Sequence, residues 1–561
     1  MKSYLFLLFV ALSCYMPIKA QEASIGKLIV PLTNATQAKP VNKANIQEAD
    51  ATLPIVSDEV ISEAPAGTAV KGALRSGFSY YYSAGNVLGG FNDSFVGEYV
   101  LGNDGNIYIK TPCASADINS YIKLDKIDDE NYVAHTAQLI YVDYSSSTPN
   151  TFFAGRLVFK SYSANSYGYT VETDNEGNAI ADVYFTYKDG VLQQKDQTTV
   201  VQNGETFPHE MIGWVNSSGA WVGFGDACLT FKPVADQLTV LPEGATIMDG
   251  GFTYNVLSSI AGTNQRDGKM VKYAEVGDEI FIKNPVGEDS WIKGTINRND
   301  NTATFKKQYL GINEENKCHQ WFVPATYNDE FELWDEESGF GVWHRGLTTN
   351  DELVCKYDNG SISTLDNAKQ VFLVNRSMSG VLAIGTYSDF ALKPYNEGVS
   401  KPMKPTIINV ESFNGLYGVI TCALPPIDEN NNLINSDYLY YNIYIANENT
   451  PYTFDKDIFE LKEDMTDVPY KFDDDMDFDC NGTFHTIYHY EENSDYLGVQ
   501  TIYRRNGVEK RSDIAWFNHT TGINNTTANA IKNNNIKKIE NGNLVIIHNG
   551  HRYNAQGQLL K

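Results

Sequence analysis

Two groups of residues in this chain carry side chains that could do chemistry. Trp334 and Trp343 bracket Glu336-Glu337 in an acidic, aromatic loop. Indoles stack on apolar ring faces and carboxylates accept hydrogen bonds, so Trp334, Trp343, Glu336 and Glu337 form a candidate ligand-binding site. The second group is Asp473, Asp475, Asp477 and Asp479, with carboxylates at alternate positions. That spacing opens a calcium loop, and calcium is the one cofactor these residues suggest. Counted from Asp475, the sixth position is Cys480 where the loop needs glycine, and the twelfth is Thr486 rather than Glu. An EF-hand is therefore excluded, leaving a looser calcium site or a solvated acidic loop. The surrounding residues 455–480 hold eleven acids against three lysines, which fits either reading.

His485 and His489 are the one histidine pair at i, i+4. The intervening Thr486, Ile487 and Tyr488 favour a strand, on which two such residues share a face about 13 Å apart, too far for one ion. The pair reads as two polar positions on a solvent-facing strand. There is no HExxH, no GxSxG and no glycine-rich phosphate loop, so no catalytic residue is assigned. A glycosidase carboxylate pair would be invisible at this level.

The elements that position these groups come from a duplication. GNIYIKTP (105–112) matches DEIFIKNP (278–285). Tyr121-Ile122-Lys123 matches Trp291-Ile292-Lys293, and Tyr187 with Gly190 matches Tyr357 with Gly360, each pair 170 residues apart. The copies end at Leu229–Pro233 and Phe390–Pro394, where the offset has fallen to 161. Near their starts, Gly77-Phe78-Ser79-Tyr80 matches Gly251-Phe252-Thr253-Tyr254. Trp334 and Trp343 have no clear partner in the first copy, and unmatched aromatics are better candidates for a specialised site than matched ones.

Within each copy, alternating apolar residues are punctuated by Asp-Gly and Asn-Gly turns, such as Lys188-Asp189-Gly190 and Asp358-Asn359-Gly360. Short strands with tight turns predict an all-β protein with two tandem antiparallel barrels or sandwiches, at residues 63–235 and 240–396. The Pro-rich segment Lys401–Pro405 opens a third β module at 401–520. Its predicted strands are Thr406–Ser412, Tyr417–Leu424, Tyr438–Ile445 and Tyr496–Tyr503. Residues 21–62 read as a linker. Residues 521–561 read as a linker and a basic β-hairpin turning at Asn549-Gly550.

Residues 1–20 pair Lys2 with an apolar run, Leu5–Leu12, and end at Ala20. This is the pattern of a secretory signal peptide, so the chain is expected to be exported. Cleavage after Ala20 is the main reading, and lipidation at Cys14 the alternative. No later apolar run is long enough for a transmembrane helix. With 43 Lys and Arg against 70 Asp and Glu, the net charge is −27, which argues against nucleic acid as a partner. Neither Cys228 nor Cys355 has a cysteine at the matching position of the other copy. The copies thus share no disulfide, and Cys355, opposite Phe185 at the 170 offset, reads as a buried apolar residue.

Residues 401–520 resemble a fibronectin type III-like sandwich. Tyr496–Tyr503 looks like its sixth strand, followed by the Asn506-Gly507 loop and a final strand near Ser512. Cys422 falls in an early strand, but Cys480 does not fall in the sixth, so the resemblance supports no immunoglobulin-type disulfide. The tail, through Asn541-Gly542, Tyr553-Asn554 and Gly557-Gln558, resembles the C-terminal sorting segment of proteins exported by type IX secretion. The whole layout is similar to multi-module secreted or surface proteins of bacteria that use that route, and the resemblance implies no activity. The expectation is a non-enzymatic binding, adhesion or scaffold protein whose partner is an extracellular protein or glycan. The alternatives are a carbohydrate- or peptide-active hydrolase with dispersed residues, and a carrier of small apolar ligands.

Overall fold

The computed structural model describes residues 52–517, apart from 84–85, 111–117, 146, 164–165, 257–264, 287–288, 315–316, 334–342, 378–379, 414–416, 446–447, 475 and 491–496, together with strands between 536 and 560. The first copy holds β1 (Gly67–Ser83), β2 (Asn86–Gly102), β3 (Ile107–Lys110), β4 (Tyr121–Lys126), β5 (Asn131–His135), β6 (Gln138–Asp143) and β7 (Asn150–Ser163). It continues with β8 (Ser166–Thr170), β9 (Asp182–Lys188), β10 (Val191–Gln194), β11 (Thr199–Gln202), β12 (Glu205–Pro208), β13 (Glu210–Asn216) and β14 (Trp221–Lys232). Antiparallel pairing runs β1-β2-β3-β4-β5-β9-β10-β14 and returns to β1, closing an eight-stranded barrel. Beyond the barrel, β14 pairs with β13, β13 with β7, and β7 with both β6 and β8.

The second copy holds β15 (Met248–Val256), β16 (Gln265–Val276), β17 (Glu279–Lys283), β18 (Trp291–Asn297), β19 (Thr302–Lys306) and β20 (Gln308–Asn313). It continues with β21 (Cys318–Leu333), β22 (Trp343–Thr349), β23 (Glu352–Asp358), β24 (Ser361–Ser363), β25 (Gln370–Asn375) and β26 (Ala383–Pro394). The order β15-β16-β17-β18-β19-β23-β24-β26 closes on β15 in the same way. The accessory strands again follow suit, with β25 on both β26 and β21, and β20 and β22 on β21. A barrel of eight strands is just wide enough for side chains to fill. Buried Ile107, Ile109, Ile122, Leu124, Phe185 and Phe231 fill the first barrel, and Ile280, Ile282, Ile292, Phe305, Phe322 and Phe372 the second.

The repeated turns have their physical cause in the backbone. Asp189 and Gly190 have φ of 51° and 79°, and Asn359 and Gly360 have 44° and 81°. Both central residues of each two-residue hairpin loop are left-handed, which favours Asp or Asn followed by Gly. Gln138 and Gln308, also 170 apart, serve one role. Each side-chain amide clips to the backbone of Lys123 or Lys293, accepting from N–H at 2.8 Å in both and donating to C=O at 2.9 and 2.7 Å. Cys228 (φ 52°) and Asp389 (φ 44°) sit at the same register break between the first and last barrel strands.

Strand pairing corrects one sequence match. Leu74 faces Lys232 and Gly251 faces Lys393, so Leu74 corresponds to Gly251. Phe78 then corresponds to Asn255, not Phe252, and the GFSY/GFTY match is three residues out of register. The true equivalents are chemically unlike. Arg75 occupies the place of Phe252, and Asp226 that of Tyr387. Arg75 and Asp226 form a buried ion pair, and Ser79 Oγ donates to Asp226 at 2.8 Å. Phe252 and Tyr387 instead pack edge to face at 5.3 Å.

The barrel walls also exchange volume. Across β4, β5 and β9 the first copy places Leu124, Ala134 and Val183, and the second places Gly294, Phe305 and Leu353 on the equivalent strands. In the adjacent row, Tyr132 and Phe185 give way to Ala303 and Cys355. Cys355 is fully buried, as its alignment with Phe185 suggests. In the first row the Leu124–Ala134 pair and the Gly294–Phe305 pair trade large for small at similar volume, whereas the adjacent row is smaller in the second copy.

Modules follow one another by an equivalent contact. The second copy docks on β1 and β2 of the first: Val96 N–H donates to Lys317 C=O at 3.1 Å, and Leu74 packs among Trp321, Val323 and Val371. The equivalent strands of the second barrel hold the third module. A side chain at Gly251 would meet Leu433 Cβ at 2.8 Å, and Arg266 Nη2 donates to Asn431 Oδ1 at 2.8 Å.

The third module has β27 (Thr406–Phe413), β28 (Tyr417–Ala423), β29 (Leu439–Tyr444), β30 (Val468–Pro469), β31 (Phe478–Asn481), β32 (Phe484–His489), β33 (Leu497–Arg505), β34 (Val508–Arg511) and β35 (Ala515–Phe517). One sheet runs β27-β28-β32-β31 and the other β30-β29-β33-β34, with β35 also on β33. Ile420, Cys422 and Ile487 of the first sheet pack with Tyr441, Ile443 and Val499 of the second in one core. The C-terminal strands β36 (Ile536–Glu540), β37 (Asn543–His548), β38 (His551–Tyr553) and β39 (Leu559–Leu560) form a separate antiparallel sheet.

Candidate functional site

The aromatic, acidic loop lies at the tip of the β21–β22 hairpin. Leu333 pairs with Trp343, Glu332 with His344 and Phe331 with Arg345. Trp334, Glu336 and Glu337 lie outside the described residues, as does the side chain of Trp343, whose backbone opens β22. The equivalent hairpin of the first copy, β7–β8, closes through Ser163 and Ser166 over only residues 164–165. Nine residues, 334–342, make that connection in the second copy. The copies share the order of their barrel strands and differ in length at this tip. Lower on the hairpin, Gly346 N–H donates to Asn328 Oδ1 at 3.1 Å, tying β22 to β21 where the register shifts.

Asp473 and Asp479 are exposed, and Asp475 lies outside the described residues. Asp477 is turned inward, where Tyr490 Oη donates to it at 2.7 Å and burial pushes its carboxyl above the usual range. The residue that organises the turn is Asp474, whose Oδ1 accepts from the backbone N–H groups of Met476, Asp477 and Phe478 at 3.0, 2.8 and 2.9 Å. Among the described residues, no three His, Cys, Asp or Glu side chains converge as a metal site.

His485 and His489 do share a face of β32, but the solvent-facing reading fails. Both are buried, at 1 % and 2 % exposure. His485 Nε2 lies 2.7 Å from Tyr470 C=O, and its ring packs edge-on against Tyr441 and Tyr470. Alternation alone cannot say which face of a strand is covered. Desolvation holds both imidazoles below their ordinary range, His489 at about 4. A His whose folded pKa is depressed takes up its proton preferentially in the unfolded chain. Stability from His489 is therefore intact above about pH 6.5 and falls as pH drops toward 4, by about 3 kcal/mol in all. Burial raises the carboxyls of Asp267 and Asp477, which act in the opposite direction. In His489→Leu, hydrogen exchange of β28 and β32 should lose its acid sensitivity between pH 6.5 and 4. An unchanged profile would remove His489 as its source.

Cys228, Cys318, Cys355, Cys422 and Cys480 are free thiols. Burial pushes Cys228 and Cys480 up to about 11 and Cys422 to about 12. With so little thiolate, Cys228 and Cys480 should be alkylated at pH 8 about a hundredfold more slowly than a free cysteine. Peptide mapping after iodoacetamide treatment of a Cys113→Ala chain checks this. Labelling at the rate of a model thiol would contradict the suppressed thiolate at these two positions.

Sequence reasoning missed several residues that the fold makes prominent. The Gln138/Gln308 clip was visible as an identity at the 170 offset. The Arg75–Asp226 pair was hidden by its aromatic replacement in the second copy. Trp516, 44 % exposed, gave no signal because it lies outside the duplication. By contrast, Trp214, Trp221 and Trp321 are buried at 6 %, 7 % and 1 %. No helix among the described residues is long and apolar enough to cross a membrane. No family model and no curated protein matches the chain.

Proposed function

We propose that this is an exported, non-enzymatic binding or display protein of the cell surface or extracellular space, and that the 334–343 hairpin tip contacts its partner, an extracellular protein or glycan. The observation that carries this reading is the difference between the two copies at that hairpin, where nine connecting residues stand in place of two. Segments that connect regular elements are the usual place for binding residues. The leader at residues 1–20 supports export, and the tail supports handling by a sorting route of the type IX kind. The sheet order of the third module supports the fibronectin type III-like reading. Barrel interiors packed with Phe, Ile and Tyr weigh against a carrier of small apolar ligands.

The test is a glycan and host-protein array probed with the mature chain and with Trp334→Ala/Trp343→Ala. Binding by the first and its loss in the second are expected. Silence on the array together with turnover of a polysaccharide panel would replace this reading with the hydrolase.

A further inference from the structure

The outer face of the second sheet of the third module combines an exposed aromatic with a fixed polar array. Trp516 on β35 pairs with Gly498 on β33, which pairs in turn with Tyr444 on β29. A side chain at Gly498 would meet Trp516 Cζ3 at 2.6 Å, so the benzo ring lies directly over the bare glycine. One indole face is thereby supported, with the Tyr444 ring centroid 5.4 Å away, while the residue stays 44 % exposed. The other face of the ring is thus left open to stack on a ligand.

Further along the same face, alternation brings Gln500, Ile502 and Arg504 into line with Gly498. Arg511 pairs with Ile502 and Glu509 with Arg504. These polar groups are locked to one another. Arg511 Nη1 donates to Asn442 Oδ1 at 2.9 Å and Arg511 Nε to Glu509 Oε1 at 2.8 Å. Arg504 Nη2 bridges Asp467 and Glu509 at 2.6 and 2.8 Å. The side chains of Arg511, Glu509 and Arg504 nonetheless keep 38 %, 39 % and 39 % of their surface exposed, so they can also bond a ligand. Gly498 and Ile502 are about 13 Å apart along the strand, room for more than one sugar ring.

We propose that this face is a second binding site, for a neutral oligosaccharide, in which Trp516 stacks on the apolar face of one pyranose and the Arg511–Glu509 pair bonds the hydroxyls of the next. The charges select this ligand class. Two arginines and two carboxylates cancel across the face, so a polyanion or polycation would meet a group of its own sign, whereas vicinal hydroxyls can donate to Glu509 and accept from Arg511. The site does not depend on the hairpin tip, and either could exist without the other.

Calorimetric titration of the mature chain with maltotriose, cellotriose and triacetylchitotriose tests the proposal. At least one should bind. Its affinity should fall about tenfold in Trp516→Ala, the scale of one lost stacking contact, and less in Trp516→Phe. Arg511→Gln leaves the indole in place and should weaken the same sugar severalfold, and Trp343→Ala should leave it unchanged. If Trp516→Ala perturbs the near-ultraviolet dichroism of the fold, the Trp516→Phe and Arg511→Gln results decide. Failure of all three sugars to bind, or equal affinity in the Trp516 and Arg511 variants, overturns the proposal. Loss in Trp343→Ala instead would move the sugar to the hairpin tip, overturning this site while sparing the proposed function.

Discussion

Arg75→Ala should destabilise the first barrel by about 3–5 kcal/mol, the cost of leaving a buried carboxylate without its partner. Asp226 is fully buried and Arg75 is 5 % exposed, so water cannot replace the guanidinium. Ser79 would remain as a neutral donor to Asp226. The second copy has already made the alternative choice at the same two positions. Phe252 and Tyr387 fill them with an aromatic pair, and such apolar replacements of buried ion pairs are often neutral or stabilising. Arg75→Phe/Asp226→Tyr should therefore recover most of the loss. Hydrogen exchange of β1 and β14 in the whole chain reads the opening free energy of this barrel separately from the other modules. Equal damage from the single and double variants would mean that the two positions are not structurally equivalent.

The second large effect concerns Phe305. Truncation to Ala should cost about 3–5 kcal/mol, from lost burial plus an unfilled cavity. Gly294→Leu should also be severe, because its Cβ would lie 2.6 Å from the Phe305 ring, and overpacking of this kind costs about 1–3 kcal/mol or more. Together the two changes write the first copy's Leu124–Ala134 pair into the second barrel, and the double variant should be closer to wild type than either single one. Exchange protection of β18 and β19 measures the coupling. Strict additivity would contradict a shared site of compensation.

Both predictions rest on equivalences that the sequence showed only in part. The offset of 170 was legible because Tyr187–Gly190 and Tyr357–Gly360 need the same left-handed turn, so the residues could not drift apart. The match of Tyr121 to Trp291 survived because both stand at the start of the fourth barrel strand. Closure of each barrel was not legible, since β5 to β9 and β19 to β23 join strands distant in sequence, and nothing local to either strand encodes the partner. The three-residue misregister at Gly77 arose because a short aromatic likeness outweighed a ladder position whose occupants had changed from an ion pair to two rings. At the candidate site, the sequence could mark Trp334 and Trp343 as unmatched. Only the pairing of Leu333 with Trp343 shows that they stand at one hairpin tip. Likewise, alternation placed His485 and His489 on one face, but only packing against Tyr441 and Tyr470 says that the face is inside. Trp516 needed the third module's sheet to become meaningful, because its platform is a glycine on a neighbouring strand.

The most direct test of the claim that function resides where the copies differ is a tip exchange. Residues 334–342 would be replaced by Ala164-Asn165, giving the second copy the first copy's connection. Binding of the exchanged and unaltered chains would then be compared on the same glycan and host-protein array, with exchange protection of β21 and β25 as the control for folding. Binding should be lost while protection is kept. Full binding by the exchanged chain would contradict the claim.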